Sequence, residues 1–318
     1  MSQVVTIVIG SMNSIHMSNR ILKILLLGKN GQVGWELQRA LSPLGELRAC
    51  DRMQANLDDP ESLRQLVRDY APDIIVNAAA YTAVDKAESD IESARRVNTQ
   101  SLAVLAEETK RLNGWLIHYS TDYVFNGQKE GTYVESDATA PLSVYGQTKL
   151  DGELAIAASG CHYLIFRTSW VFASRGGNFA KTMLRLAAER DSLNVVADQF
   201  GAPTSAELIA DITALAIYRL QHDFALAKQA SGIYHLVASG ETSWHGYAQF
   251  VIAEAIKCGS NFKVQPEQVG AIPASAYPVP AARPQNSRLN TDKLRTLLNI
   301  QLPPWQYHVK RMVQELIP

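Results

Sequence analysis

The chain has 318 residues, of which 30 are basic and 31 acidic, and 47% of them are hydrophobic. This length allows one large domain or two ordinary ones with a sizeable core. The near balance of charge, with no long run of either sign, excludes an electrostatic footprint for nucleic acid or a membrane surface, and no apolar run approaches the roughly 20 residues that cross a bilayer. Cys50, Cys161 and Cys258 lie far apart, as in a reducing compartment, so we expect a cytoplasmic protein with a small soluble partner.

The first 20 residues differ from the rest of the chain. They contain the short apolar run VVTIVIG, but neither the basic start nor the small-residue cleavage site of a secretory signal. We predict that residues 1–20 form a poorly constrained extension, with Met17 as a candidate start, and we assign no function to it.

From Ile21 onward, short apolar runs alternate with amphipathic segments. The predicted strands are ILKILLLG, ELRACD, DIIVNAAA, WLIHYSTDYVF and HYLIFRTSWVF. Helices are predicted between them, one of them capped by Asp59 with Pro60 at its first position, and one continuous helix at SARRVNTQSLAVLAEETKRLN. Apolar strands that alternate with helices predict an α/β fold with a doubly wound parallel sheet, of the Rossmann type, over residues 21–170.

The alternation weakens after Val171, where loops rich in Gly, Pro, Ala and Asn appear. Further helices are predicted at FAKTMLRLAAER, AELIADITALAIYRL and SWHGYAQFVIAEAIK. We therefore predict that residues 171–318 form mainly a smaller C-terminal lobe for the substrate, with a discontinuous boundary and some segments returning to the sheet.

A glycine-rich turn, GKNGQVG, joins the first predicted strand to the first helix. Glycines at 28, 31 and 34 would allow a tight turn and a close approach of the backbone to a pyrophosphate, at a helix N-terminus that favours anions. The spacing is GxxGxxG and not the GxGxxG of ordinary dinucleotide-binding dehydrogenases. The turn predicts a nicotinamide dinucleotide cofactor, and a plain strand-to-helix turn is the structural alternative.

The end of the second strand gives conflicting signals about the cofactor. Asp51 could take the ribose hydroxyls of NADH, whereas Arg52 could meet the 2′-phosphate of NADPH. We predict that both are accepted, with a preference below about a thousandfold, or about 4 kcal/mol.

Tyr145 precedes Lys149 by one helical turn, so both would lie on one helix face. Thr121 ends the fourth strand, at the edge where parallel sheets bind ligands. Reduction of a ketone needs an acid for the developing alkoxide, and a nearby ammonium would lower the pKa of a phenol. We predict that Thr121 donates a hydrogen bond to the carbonyl, that Tyr145 delivers the proton, and that Lys149 acidifies Tyr145 and holds the nicotinamide ribose. A packed tyrosine and a solvated lysine are the structural alternatives.

These motifs belong to a longer series of matching blocks. In chain order they are KILLLGKNGQVGWELQRAL, DIIVNAAAYTAVDKAE, HYSTDYVFNG, PLSVYGQTKLDGE, FRTSWVF, NFAKTMLRLA, DQFGAPT and ARPQNSRL. The series resembles the dTDP-4-dehydrorhamnose reductase family of the extended short-chain dehydrogenase/reductase superfamily. The resemblance implies reduction of the 4-keto group of dTDP-4-dehydro-6-deoxy-L-mannose to dTDP-L-rhamnose with NADPH or NADH, for bacterial surface polysaccharides such as O antigen.

The resemblance also implies roles for individual residues. Cofactor contacts are implied for Gly28, Gly31, Gln32, Val33, Asp51, Asn56, Leu57, Ala78, Ala79, Ala80, Tyr145 and Lys149. Substrate contacts are implied for Thr121, Asp122, Trp170, Asn178 and Arg283. An indole would give the sugar an apolar wall, and a guanidinium could bind a diphosphate through two hydrogen bonds. A core tryptophan and a surface arginine are the structural alternatives.

Some members of this family dimerise around a magnesium ion held by three glutamates from each subunit. Glu36, Glu207 and Glu315 match those positions, so the resemblance implies a candidate magnesium-bridged homodimer. Carboxylates suit magnesium, although each of the three also fits a solvated helix position. The seven histidines show no metal-binding spacing, and we predict that they are structural.

Other functions remain open from the sequence. They are another reductase, an epimerase or a dehydratase of sugar nucleotides, and a non-catalytic NADP-binding regulatory subunit. Dehydratases of this superfamily follow the threonine with an Asp-Glu acid/base pair, whereas here Tyr123 follows Asp122, which favours simple reduction. The intact Thr121, Tyr145 and Lys149 argue against a regulatory subunit.

Overall fold

The structure is a computed structural model that describes residues 21–317. The predicted extension over residues 1–20 lies outside the described residues. The strands are β1 (Lys23–Leu27), β2 (Glu46–Cys50), β3 (Ile74–Asn77), β4 (Trp115–Thr121), β5 (His162–Thr168), β6 (Val171–Phe172), β7 (Leu193–Val196), β8 (Phe200–Gly201), β9 (Thr204–Ser205), β10 (Gly232–His235), β11 (Thr242–Ser243) and β12 (Val269–Ile272).

Helices surround these strands. They are α1 (Gln32–Leu41), α2 (Pro60–Tyr70), α3 (Val84–Ala87), α4 (Ile91–Arg95), α5 (Ser101–Leu112), α6 (Val144–Ser159), α7 (Phe179–Glu189), α8 (Ala206–His222), α9 (Phe224–Gln229), α10 (Trp244–Lys257), α11 (Asp292–Leu298) and α12 (Trp305–Leu316). No helix between residues 21 and 317 is long and apolar enough to cross a membrane.

The centre of the molecule is a six-stranded parallel sheet in the order β10-β5-β4-β3-β1-β2. Alternate residues of a strand point to opposite faces. Ile24 and Leu26 of β1 accordingly pack into one core with Ile209 of α8, whereas Leu25 and Leu27 pack into a second core with helices α2 and α5. Both faces of the sheet are therefore covered, and the predicted doubly wound α/β fold is confirmed.

The part of the chain after β6 builds further packing around α7 and α10. These helices enclose a small core with the parallel pair β7 and β12, including Met183, Ile252 and Val269. The same part of the chain also supplies β10, which pairs with β5 and so extends the central sheet. The division near residue 170 stays a prediction.

The predicted continuous helix before β4 is interrupted. A π-helical turn at Arg96–Gln100 separates α4 from α5. Within it, Asn98 accepts a hydrogen bond from the Tyr81 amide at 2.9 Å and donates to the Tyr81 carbonyl at 3.1 Å. Such turns accommodate one extra residue and are frequent at functional sites. Here the π-helical turn is joined through Asn98 to the loop that follows β3.

Candidate active site

The carboxyl ends of the central strands border a cavity of about 820 Å³. β1 lies between β2 and β3, so the chain forms β2 on one side of β1 and then crosses to form β3 on the other side. Ligands of parallel sheets bind at such switch points. Predicted site residues that line the cavity are Gly28, Gly31, Gln32, Val33, Asp51, Asn56, Leu57, Ala78, Ala79, Ala80, Thr121, Asp122, Tyr145, Lys149 and Trp170. One cavity thus brings together the predicted cofactor loop and the predicted catalytic residues.

The glycine turn fits closely against the end of β3. Gly28 has φ +85°, and a Cβ atom there would lie 2.7 Å from the amide nitrogen of Ala79. A Cβ atom at Gly34 would lie 2.0 Å from the carbonyl oxygen of Gly28. Neither position can hold a side chain without moving the backbone, so the glycines allow the turn to pack tightly beside the cavity.

The N-terminus of α1 lacks a side-chain cap. Its N-cap is Gly31, whereas α2, α6, α7, α8 and α10 each begin with an Asp, Ser or Asn side chain that accepts a backbone amide. The first amides of α1 are therefore available to an anionic ligand at the positive end of the helix dipole. This donor set fits the diphosphate of a dinucleotide.

The end of β2 contains an ion pair that sequence reasoning missed. The Lys29 ammonium lies 3.3 Å from Oδ2 of Asp51 and donates to Gln54 at 2.7 Å. Oδ1 of Asp51 accepts the amide of Met53 at 3.0 Å. Asp51 is therefore partly neutralised, and the next residue, Arg52, contributes a positive charge to the lining of the cavity.

Thr121, Asp122 and Tyr145 all line the cavity. Oγ1 of Thr121 donates to Oδ1 of Asp122 at 3.0 Å. Burial raises the pKa of Tyr145 to about 12, Thr121 opposes this change, and the nearby charge of Asp122 adds to it. Tyr145 is therefore a protonated acid at neutral pH.

The position of Lys149 is fixed by two contacts, and its acidification of Tyr145 stays a prediction. Its Nζ donates to the carbonyl oxygen of Tyr119 at 2.6 Å and lies 2.9 Å from Nε2 of His118. Burial lowers the pKa of Lys149 to about 7, and the charge of Glu153 opposes this change.

Several buried polar atoms of residues that line the cavity lack partners within residues 21–317. They are Ser120 Oγ, Asp122 Oδ2 and Thr168 Oγ1, and all three residues line the cavity. Burial raises the pKa of Asp122 to about 6. Unpaired buried polar atoms are costly, and a polar ligand in the cavity would supply partners for them.

The predicted substrate residues fall into two groups. Trp170 lines the cavity in a left-handed backbone conformation, φ +49°, and its ring stacks on Trp244 with 3.6 Å between centroids. Asn178 and Arg283 do not line the cavity. Asn178 caps α7 and donates to Gln32 at 3.2 Å, and Arg283 pairs with Asp85 at 2.9 Å. Substrate binding by these two residues stays a prediction.

The three glutamates predicted to bind magnesium share one face of the molecule. Burial raises the pKa of Glu36, and repulsion from Glu207 and Glu315 contributes in the same direction. Glu207 accepts a hydrogen bond from Arg311 at 2.9 Å. Among residues 21–317, no three Asp, Glu, His or Cys side chains lie close enough to bind a metal ion by themselves. The magnesium prediction therefore depends on carboxylates from a second copy, and it stays a prediction.

Sequence reasoning missed Lys29, Asn98 and His118. Lys29 lies inside the glycine turn after β1, and Asp51 follows β2. Because both strands end at the same edge of the sheet, a lysine after one and an aspartate after the other were the available signal. Asn98 lies in a segment whose hydrophobic periodicity predicts an ordinary α-helix, and that periodicity does not indicate a π-helical turn. His118 lies in a buried strand, where a histidine reads as part of the core.

Comparisons with known proteins agree with this geometry. A doubly wound parallel sheet, a glycine turn and a Thr, Tyr and Lys group on one cavity define a Rossmann-type protein of the extended short-chain dehydrogenase/reductase class. The profile of the RmlD substrate binding domain matches residues 22–317. The dTDP-4-dehydrorhamnose reductase of Escherichia coli is 54% identical over 93% of this chain and 98% of its own length. The chain therefore belongs to the dTDP-4-dehydrorhamnose reductase family.

Other relatives give the same result. The Burkholderia thailandensis reductase is 50% identical, over 93% of this chain and 99% of that protein. The crystal structure of the Bacillus anthracis reductase in complex with NADP has a TM-score of 0.81 at 32% identity, over 93% of this chain and 100% of that one. The UDP-glucose 4-epimerase of Thermus thermophilus shares the fold with a TM-score of 0.74 at 17% identity, over 92% of this chain and 98% of that one.

Proposed function

We propose that this protein reduces the 4-keto group of dTDP-4-dehydro-6-deoxy-L-mannose to give dTDP-L-rhamnose with a nicotinamide cofactor, as a step in surface polysaccharide synthesis. Relatives named for this reduction match nearly the whole chain at 50 to 54% identity. A family structure contains NADP. The observation that carries the proposal is the single cavity in which the glycine turn faces Thr121, Tyr145 and Lys149.

The residues of the cavity fit the cofactor and the reaction. The first turn of α1 and the glycine turn would hold the diphosphate, and Lys149 would hold the nicotinamide ribose. When bound, the reduced cofactor supplies a hydride to the keto carbon. To donate a hydrogen bond to the oxygen on which negative charge develops, the Thr121 hydroxyl, which has one proton, turns away from Oδ1 of Asp122. Tyr145 then gives its proton to that oxygen, because an alkoxide is a stronger base than a phenolate.

The residue after Asp122 supports reduction over dehydration. Tyr123 occupies the place where dehydratases of this superfamily carry a glutamate, and its ring meets that of Tyr145 edge to face at 5.5 Å. Burial raises the pKa of Tyr123 above its ordinary value, so it does not act as a base at neutral pH. A base for removing water is therefore missing at this position.

The experiment is a direct assay with dTDP-4-keto-6-deoxy-L-mannose and NADPH. We expect one equivalent of NADPH to be oxidised for each dTDP-L-rhamnose formed, followed by absorbance and by identification of the product. Turnover without net consumption of cofactor would indicate an epimerase or a dehydratase. Binding of NADPH without any reduction of the sugar would favour a regulatory subunit.

We further propose that the protein acts in the cytoplasm and forms a homodimer. The free thiols of Cys50, Cys161 and Cys258 suit a reducing compartment. The face that carries Glu36, Glu207 and Glu315 is the candidate dimer surface, since carboxylates from two copies could share a magnesium ion.

A further inference from the structure

We propose that His118 is a positioning residue, whose neutral imidazole orients the ammonium group of Lys149 toward the cavity. The inference deepens the proposed function, because it concerns how a residue of the proposed catalytic group is held. It also revises the expectation that the histidines of this chain are only structural.

The contact between the side chains of Lys149 and His118 is short and shielded from solvent. Nζ of Lys149 lies 2.9 Å from Nε2 of His118, and both residues are 1% exposed. The same Nζ donates to the carbonyl oxygen of Tyr119 at 2.6 Å. An ammonium has three N–H groups, so two fixed partners leave one for the cavity that Lys149 lines.

The surroundings keep His118 neutral. Burial and the charge of Lys149 lower the pKa of His118 well below its ordinary value. A charged Lys149 ammonium can only donate, so Nε2 of His118 accepts from it and the ring proton lies on Nδ1. The side-chain Nδ2 of Asn77 lies 3.3 Å from Nδ1, which is a longer contact than the charge-assisted one of 2.9 Å at Nε2.

The strand register explains why the histidine is available. Asn77 of β3 pairs directly with His118 of β4, in the middle of a parallel sheet. The ring is thus anchored on a rigid strand, whereas Lys149 projects from the neighbouring helix α6. A flexible side chain held by a rigid acceptor loses the freedom to fold away from the ligand.

The other charged groups near Lys149 are already paired. Glu153 lies one turn further along α6 and favours the charged lysine. It is held by Arg167 of β5 at 2.9 Å and 2.6 Å and cannot replace His118 as a direct partner. Tyr145 lies on the same face of α6, and Tyr119 contributes only its carbonyl. His118 is therefore the side chain that sets the direction of the ammonium.

The test compares two substitutions that differ by one methylene group. In His118→Gln the amide oxygen can stand where Nε2 stands, whereas in His118→Asn it reaches only the place of Nδ1. His235→Asn is the matched control, since His235 is also fully buried but lies outside the cavity. For each variant we would measure thermal unfolding, the Kd for NADPH, and kcat/KM against pH.

We expect His118→Asn to lower kcat/KM about 10- to 100-fold, the loss of one charge-assisted hydrogen bond. Its alkaline limb should move to lower pH by about one unit, because the charged lysine has lost an acceptor. The Kd of this variant for NADPH should increase with pH, and that increase should also be displaced to lower pH. His118→Gln should restore both the pH profile and the Kd to near the unsubstituted protein.

An Asn variant whose pH profile and Kd match those of the unsubstituted protein would overturn the proposal. Equal losses in the Gln, Asn and control variants, in step with lowered unfolding temperatures, would also overturn it. If the unsubstituted protein binds NADPH but reduces no keto-sugar, the proposed function fails, and the pH dependence of the Kd still tests His118.

Discussion

Thr121, Asp122 and Tyr145 line the cavity at the end of β4 and the start of α6, and Thr121 donates a hydrogen bond to Asp122. Each of these groups is wholly or partly withdrawn from water, and burial is the largest influence on the pKa of both the phenol and the carboxyl. The phenol keeps its proton at neutral pH and can donate it only to a strong base. An alkoxide that forms in the cavity is such a base.

Tyr145→Phe tests this role of the phenol. We expect kcat to fall by about 10² to 10⁴, because the proton path is removed, with little change in cofactor affinity. Stopped-flow kinetics and the Kd for NADPH measure the two effects separately. Tyr247→Phe is the control, since that buried hydroxyl has no partner within the described residues. A Tyr145 variant as active as the control would refute the assignment.

Asp122→Asn should raise the stability of the protein and lower its activity. The folded pKa of about 6 lies above the ordinary value of 3.8, so the folded state binds the proton more tightly and loses stability as pH rises from about 4 to 6. Above pH 6 we expect the variant to be more stable than the unsubstituted protein by about 1–2 kcal/mol, with the difference vanishing near pH 4. Chemical denaturation at several pH values would show this, and a difference independent of pH would contradict it.

The same variant should be less active. Asp122 accepts the hydrogen bond of Thr121, and its free oxygen lines the cavity. We expect kcat/KM to fall about tenfold or more, since an amide oxygen accepts a weaker hydrogen bond than a carboxylate and holds the Thr121 side chain less firmly beside the cavity. Gain of stability with loss of activity is the usual sign of a group kept for function.

Lys29→Met tests how the cofactor is chosen. Removing the ammonium leaves the Asp51 carboxylate without its partner at 3.3 Å, which disfavours a 2′-phosphate nearby. We expect the Kd for NADPH to rise about tenfold, or about 1.4 kcal/mol, while the Kd for NADH changes little. Lys110→Met, an exposed lysine outside the cavity, is the control. Equal weakening of both cofactors would count against the ion pair as the determinant.

At the scale of single elements, α6 is the helix on which the proposed chemistry depends. Its N-cap Ser143 accepts the amide of Gly146 at 3.1 Å, and Tyr145 lies in the first turn. The helix buries Lys149 and Glu153 and is joined to β5 by the Glu153 to Arg167 pair. The position of the Tyr145 phenol thus depends on whether the first turn of α6 stays folded.

Ser143→Ala should therefore affect both folding and catalysis. We expect a loss of about 1 kcal/mol in unfolding free energy from the missing cap, and a severalfold fall in kcat because the turn that carries Tyr145 frays. Ser205→Ala removes the equivalent cap of α8, where Ser205 accepts the Leu208 amide at 3.0 Å. That variant should lose similar stability at unchanged kcat. Equal kcat for the two variants would show that the cap of α6 has no role in catalysis.

The elements also show how far sequence patterns reach. The runs KILLL and IIVN predicted β1 and β3, because a strand buried on both faces reads as a continuous apolar run. The Tyr145 and Lys149 spacing predicted a shared helix face. The π-helical turn at Arg96–Gln100 was not predictable, because it changes the hydrogen-bond pattern without changing the periodicity. The orientation of Lys149 was not predictable either, since it depends on a histidine from a different strand.

At the scale of the whole molecule, the parallel order of the sheet followed from the alternation of strands and helices, whereas its last strand did not. β10 lies far along the chain from β5, and only four residues of it join the sheet. Long-range pairing of this kind leaves no local signal. The packing of α8 against α1 is likewise a property of the fold and not of either segment.

The candidate dimer face can be tested on the intact protein. Light scattering would give the mass with magnesium and with EDTA. We expect a dimer with magnesium and dissociation in EDTA, because carboxylates from two copies repel one another without the cation. Glu207→Gln should weaken the dimer even with magnesium. A monomer under both conditions would remove the hypothesis.

The pairing of β10 with β5 has a consequence for any attempt to divide the chain. A fragment that stopped near residue 170 would leave the edge of β5 open, with unpaired backbone groups beside Leu164 and Phe166. It would also lack the helix that shields Ile24 and Leu26. Residues 21–170 therefore do not cover their own sheet edge and core, and any C-terminal segment grafted onto them would have to supply both an edge strand and a covering helix.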